Sequence, residues 1–159
     1  MNNLSFHITD ITANSIRANA SEIGLSVEEQ DTRIVIRITD NGSGMDAETA
    51  RRVTNPFYTT RTTRKVGLGL PFLIQNAEQT GGSVTLTSEP GKGTEVRAVF
   101  HSDHIDCPPW GDLPGTVALL ITGNPEINVC FEYRSGETGY SISTNEIKEI
   151  LDGVPLSHP

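Results

Sequence analysis

The sharpest hydrophobic pattern in the chain lies in residues 33–39, where Ile34, Ile36 and Ile38 fall at every second position. Period two predicts a half-buried strand. Glu22 to Glu28 reads as a β-rich run before it. Further upstream, Phe6, Ile8, Ile11, Ile16 and Ala20 recur at roughly helical spacing and predict a helix over 5–20, with Ser5 as its N-cap. Asp46 to Val53 predicts a short helix that opens on acidic residues. Residues 54–66, with Pro56, several threonines and a basic cluster, read as a loop. Leu68 to Thr80 predicts another helix, whose Pro71 sits in the first turn, where no amide donor is needed. Gly81-Gly82 ends it. Ser83 to Ser88 and Glu95 to Phe100 predict an antiparallel pair joined by the turn Glu89-Pro90-Gly91-Lys92-Gly93. Beyond Phe100 the pattern fades, and the Pro-rich stretch His101 to Pro114 reads as a linker. Gly115 to Thr122 is short and apolar throughout, so it is either a helix or a buried strand. Val129 to Arg134 and Tyr140 to Ser143 predict a hairpin, and Thr144 to about Leu151 a last helix.

Composition narrows the class. A chain of 159 residues, 35% of them hydrophobic, is about one domain and can bury a core without staples. No apolar run approaches the ~18 residues of a membrane span, and Met1-Asn2-Asn3-Leu4 lacks the basic start of a secretory signal. Cys107 and Cys130 form no CxxC pair, so neither a disulfide framework nor a zinc site is expected, and a cytoplasmic location is. The net charge of −8 argues against a general nucleic-acid binder, whose domains carry a basic face. The charge is uneven. Residues 1–104 hold ten Lys/Arg against twelve Asp/Glu, and residues 105–159 hold two against eight. Arg51, Arg52, Arg61, Arg64 and Lys65 cluster within the first part, which suits either a small anionic ligand or an ordinary solvated face.

Three short segments carry candidate chemistry. Asp40-Asn41-Gly42-Ser43-Gly44 follows the best strand. A carboxylate there can accept from an exocyclic amine such as that of adenine, while glycines let the backbone approach a planar ligand. Gly67-Leu68-Gly69-Leu70 opens a helix, whose unpaired amides and positive dipole end form a phosphate site. Without a following GKS or GKT it is not a P-loop, and without a strand feeding it, not a dinucleotide fingerprint. Asp10 and Asn14, four residues apart, project from one helix face. Asn14 offers a neutral oxygen suited to Mg²⁺ beside phosphates, and Asp10 can orient or deprotonate a water. Taken singly, these are a turn, a loop and a polar stripe.

Their order changes the reading. The chain runs Asp-x-x-x-Asn on a helix, strand, Asp-x-Gly-x-Gly, Pro-Phe, basic loop, Gly-x-Gly-Leu, helix, strand, Gly-x-Gly-Thr, strand. This order and spacing resemble the histidine-kinase-like ATPase superfamily (gyrase B, Hsp90, MutL and histidine kinase ATP-binding domains) over about residues 5–100. The resemblance implies the Bergerat fold, an α+β sandwich with a mixed sheet and helices on one face, and it implies ATP and Mg²⁺ as ligands. Asn14 then matches the Mg²⁺ ligand and Asp10 the general-base position. Asp40 matches the adenine-binding aspartate, with Gly42 and Gly44 in the same box. Pro56-Phe57 resembles the next box. Gly67 and Gly69 match the phosphate-side glycines under a lid of residues 58–66, whose basic residues, Lys65 among them, are expected to meet phosphate. Gly93-Thr94 matches the last box, whose threonine helps hold adenine. Asn55 and Met45 lie near these boxes without an assigned contact.

Hydrolytic members usually carry Glu where this chain has Asp10, one methylene shorter, so slow hydrolysis is expected. Only about four residues precede the first helix, so a dimerisation hairpin with a phospho-accepting His is not expected here. His7, His101, His104 and His158 are acceptors only by default, with ordinary surface roles expected. Residues 1–100 therefore read as an ATP-binding domain and residues 101–159 as an acidic extension with a hairpin and a helix. The expected function is ATP–Mg²⁺ binding with slow ATPase or protein kinase activity on an unidentified partner protein, resembling the small anti-sigma-factor kinases at the ATP boxes. The alternative is a non-catalytic, nucleotide-sensing subunit.

Overall fold

The structure, a computed structural model, describes residues 3–55 and 69–151. Pro56, Phe57, the expected lid with Lys65, Gly67 and His158 lie outside these residues. The described chain folds as α1 (Leu4–Arg17), β1 (Glu22–Gln30), β2 (Arg33–Asp40), α2 (Ala47–Thr54), α3 (Gly69–Gln79), β3 (Ser83–Glu89), β4 (Gly93–His101), α4 (Leu113–Gly123), β5 (Asn128–Ser135), β6 (Thr138–Ser143) and α5 (Thr144–Leu151).

The strands form one six-stranded sheet in the order β3-β4-β2-β1-β5-β6. All neighbours are antiparallel except β1 and β5, so the sheet is mixed, as the resemblance implies. Period two sorts its residues. Ile34, Ile36 and Ile38 of β2 share a face with Ile23, Leu25 and Val27 of β1, with Val96, Ala98 and Phe100 of β4, and with Val129 and Phe131 of β5. Leu4, Ile8 and Ile11 of α1, Leu70, Leu73 and Ala77 of α3, and Val117, Leu120 and Ile121 of α4 cover that face in a single core. Each large aliphatic buried there contributes roughly 1.5–3 kcal/mol. The other face is polar; Arg37, for example, pairs with Glu95 at 3.4 Å.

Two local expectations need correction. Asn3, not Ser5, caps α1: its Oδ1 accepts from the Phe6 amide at 2.6 Å. Ser5 is buried instead, its hydroxyl donating to the Trp110 carbonyl at 2.6 Å. His7 is not on the surface, being 1% exposed. Gly115 to Thr122, left open between helix and strand, is helix, entered by Pro114 with the Asp112 side chain as cap. The Pro-rich connection before it packs closely, since the Leu4 and Ser5 amides donate to Pro109 and Trp110. The hairpin β5–β6 then joins the edge of β1 in parallel register.

Candidate functional site

β2 ends at Asp40, which lies opposite Thr94 of β4 and, like Ile38 two residues before it, faces the helical layer. Its Oδ2 accepts from the Ser15 hydroxyl of α1 at 2.6 Å, and its Oδ1 from the Gly42 amide at 2.9 Å. A carboxylate can accept about four hydrogen bonds, so these two fix its plane and leave lone pairs for a ligand. Thr94 is oriented as well: its Oγ1 lies 2.8 Å from Ser88 Oγ, which accepts from the Met45 amide at 2.9 Å.

The loop after Asp40 is held from both sides. Ser43 donates its amide to the Ala18 carbonyl at the end of α1 and accepts from the Gly91 amide at 2.7 Å in the β3–β4 turn. Gly44 has φ +71°, and a Cβ there would fall 1.9 Å from the Glu89 carbonyl oxygen. Gly93, at φ +129°, would strike the Asp40 carbonyl at 1.9 Å. Only glycine fits either position. Gly42 is tight too, with Ala18 Cβ 2.7 Å from where its own Cβ would stand. These glycines therefore serve close backbone packing within the protein, and Gly44 additionally lines the cavity beside them.

That cavity is about 260 Å³. Ile11, Ile38, Met45, Val53, Leu70 and Val96 make it mostly apolar, and Asp40, Thr94, Ser15, Asn14 and Arg17 supply its polar groups. An apolar slot with a few convergent polar groups is the usual form of a small-molecule site. A flat heterocycle with a donor aimed at Asp40 suits this lining.

At the other end stand Asp10, Asn14 and the start of α3. Asn14 Oδ1 accepts from the Arg17 guanidinium. Asp10 is half-buried outside the cavity lining, and burial pushes its carboxyl above the usual range while the Arg17 charge pulls it partly back. Gly69 opens α3 against it: a Cβ at 69 would lie 3.0 Å from Asp10 Cβ and 3.2 Å from Oδ2. The carboxylate thus sits beside the first residue of α3, at the helix end that favours negative charge.

Asn14, Asp40, Gly44 and Thr94 therefore line one cavity; Gly42 lies behind it against Ala18, Asp10 and Gly69 meet each other outside its lining, and Lys65 and Gly67 lie outside the described residues. Sequence reasoning missed Ser15, Arg17 and Ser88 and set Met45 aside. Arg17 alone left a signal, standing three residues after Asn14 on the same helix face.

A family model described as histidine kinase-, DNA gyrase B- and HSP90-like ATPase matches residues 3–104. Over 104 residues the chain is 29% identical to sensor histidine kinase YxdK of Bacillus subtilis (strain 168), covering 61% of this chain and 32% of that kinase. Over 101 residues it is 30% identical to sporulation kinase C of the same organism, covering 62% of this chain and 23% of the relative. The match thus spans a third or less of each kinase. Among solved structures, the Aquifex aeolicus MutL ATPase domain complexed with ADP superposes with a TM-score of 0.55 at 16% identity, covering 96% of this chain and 70% of that one. At that identity the likeness shows the fold. With the family model spanning residues 3–104 and the mixed sheet built as in its structural neighbour, the chain belongs to the histidine kinase-, DNA gyrase B- and HSP90-like ATPases, with the Bergerat-type fold of that family.

Proposed function

We propose that the chain binds ATP with Mg²⁺ in this cavity. The observation that carries the reading is Asp40, a carboxylate fixed by Ser15 and Gly42 at one end of an apolar slot. Adenine presents an exocyclic amine to such an acceptor, whereas guanine presents a carbonyl at the equivalent position and is repelled. Thr94, in register beside Asp40, supports the same edge. Arg17, Lys65 and the amides near Gly67 and Gly69 meet the phosphates. Asn14 supplies a hard oxygen donor of the kind Mg²⁺ takes alongside phosphate and water. Mg²⁺ held there would neutralise phosphate charge, and the Arg17 guanidinium, paired with Asn14 in this structure, lines the cavity where a phosphate oxygen would meet it. A need for ATP fits a cytoplasmic setting.

Calorimetric titration tests the adenine contact. Parent protein is expected to prefer ATP and ADP to GTP, and Asp40→Asn to weaken both adenine nucleotides. Losing a hydrogen bond to a charged group costs about 1.5–3 kcal/mol, roughly ten- to a hundredfold in affinity. Unchanged affinity in a folded variant would refute the assignment.

For turnover we favour slow ATPase or phosphotransfer to a partner protein, with Asp10 as the base. The second reading, a nucleotide-sensing subunit with no chemistry, draws support from the short Asp10 side chain, held against Gly69 and outside the cavity lining. A base must stand within ~2.6–3.2 Å of the proton it takes, or one water away. If reach is the limit, Asp10→Glu raises multiple-turnover phosphate release and Asp10→Asn abolishes it, with ATP affinity little changed. No release from either the parent or Asp10→Glu, with or without partner, decides for sensing.

A further inference from the structure

His7 lies on α1 with its side chain 1% exposed, among the rings of Phe6, Phe72 and Phe100. Its Nε2 stands 2.7 Å from Nδ2 of Asn76, a residue of α3 that is itself 4% exposed. An amide nitrogen only donates, so Nε2 accepts and the neutral ring carries its proton on Nδ1. Among the described residues that Nδ1 has no hydrogen-bond partner. Two apolar side chains would fill the same space without a polar atom to satisfy. What a histidine–asparagine pair supplies instead is direction, since a hydrogen bond fixes the separation and rotation of the helices that carry it.

Its place in the site gives that constraint a use. His7 precedes Asp10 and Asn14 by three and seven residues, so all three lie along one side of α1. Asn76 lies about two turns after Gly69 on α3. The helices therefore meet twice: Gly69 against Asp10 at the phosphate end, and Asn76 on His7 below it. Sliding α1 by a fraction of a turn would break the lower hydrogen bond and drive Asp10 into, or away from, the start of α3.

We propose that His7 and Asn76 are positioning residues for the phosphate end of the nucleotide site, holding α1 in register with α3 so that Asp10 and Asn14 face the first turn of α3. The inference rests on the nucleotide-binding reading above. It divides the site in two. The adenine end depends on Asp40, Ser15 and Thr94 and should be indifferent to the pair, whereas the phosphate end should not.

Calorimetric titration of ATP with Mg²⁺, and separately of adenosine, tests the division in the parent, in the double variant His7→Leu/Asn76→Leu and in His7→Gln. The double variant removes both partners of this hydrogen bond together, and its melting is followed in parallel to confirm that it folds. It should bind adenosine like the parent and ATP–Mg²⁺ roughly tenfold or more weakly, as loss of a supporting contact commonly does. His7→Gln, whose amide keeps an acceptor near the position of Nε2, should recover most of the loss. A parent-like ratio of ATP to adenosine affinity in the double variant overturns the proposal. So does an equal loss of both ligands, or a His7→Gln variant as weak as the double one. A parent that binds neither ligand overturns the nucleotide reading itself, and this inference with it.

Discussion

Asp10 shows how one carboxylate can report on both folding and ligand. Burial raises its pKa in the folded chain, with Arg17 opposing. A raised carboxyl favours the folded state below the unfolded pKa, and that advantage is lost as pH rises through the folded value. At neutral pH the ionised Asp10 therefore works against folding. Asp10→Asn should raise the melting temperature at pH 7, and the gain should shrink as pH falls through the carboxylate range. A gain independent of pH would remove burial as the cause. Ligand extends the argument. With Mg²⁺ withheld, phosphates arriving beside Asp10 push its pKa further up, so binding of metal-free ATP should take up protons and tighten as the pH falls. Calorimetry in two buffers of different ionisation enthalpy reads this uptake, which Asp10→Asn should erase. Ser15→Ala acts at the other end: losing one donor to Asp40 should weaken ATP and adenosine alike by about 1–2 kcal/mol.

Between elements, Glu29 is the tie that matters. One carboxylate oxygen accepts from Trp110 Nε1 at 3.0 Å and the other from the Tyr133 hydroxyl, joining the end of β1 to the Pro-rich connection and to β5. Glu29→Ala should cost about 2–3 kcal/mol in denaturant-measured stability, since it strands two partly buried donors. The helix pair α1–α3 adds a pH term of its own. The His7 pKa is pushed down to about 4 by burial, from 6.5. Its contribution is complete above pH 6.5 and is lost as pH falls toward 4, an effect that His7→Leu/Asn76→Leu should flatten. The same elements show what a sequence discloses. Ile34, Ile36 and Ile38 announced β2 because only one of its faces is buried. Val117 to Ile121 stayed ambiguous because apolar residues run all round α4, and Leu119 is 73% exposed despite them. Ser5 was mistaken for a cap because only Trp110, far along the chain, explains why that hydroxyl is used elsewhere. Asp10, Asn14, Asp40 and Thr94 were legible through their order along the chain. Ser15 and Ser88 were not, since a single hydroxyl carries no spacing signal.

Across the whole molecule, the sheet is continuous from β3 to β6, and that governs how the chain can be divided. β5 runs parallel to β1, and Val129, Phe131, Val117, Leu120 and Ile121 belong to the same core as the helices of the candidate site. A chain ending at Ser102 would leave β1 as an unpaired apolar edge, prone to association. It is expected to lose cooperative unfolding and to aggregate. A soluble fragment that still binds ATP would show that the hairpin is dispensable. The clasp around Ser43 has a different reach. The Gly91 amide, at the tip of the β3–β4 turn, hydrogen-bonds to Ser43, whose own amide is bonded to the end of α1. Its rate of exchange with deuterated solvent follows how often the clasp opens. A ligand settling between Asp40 and Gly44 makes opening rarer, so the Gly91 amide should slow on adding ADP although Gly91 does not line the cavity. The turn thus carries a silent clock for occupancy, readable without touching the site.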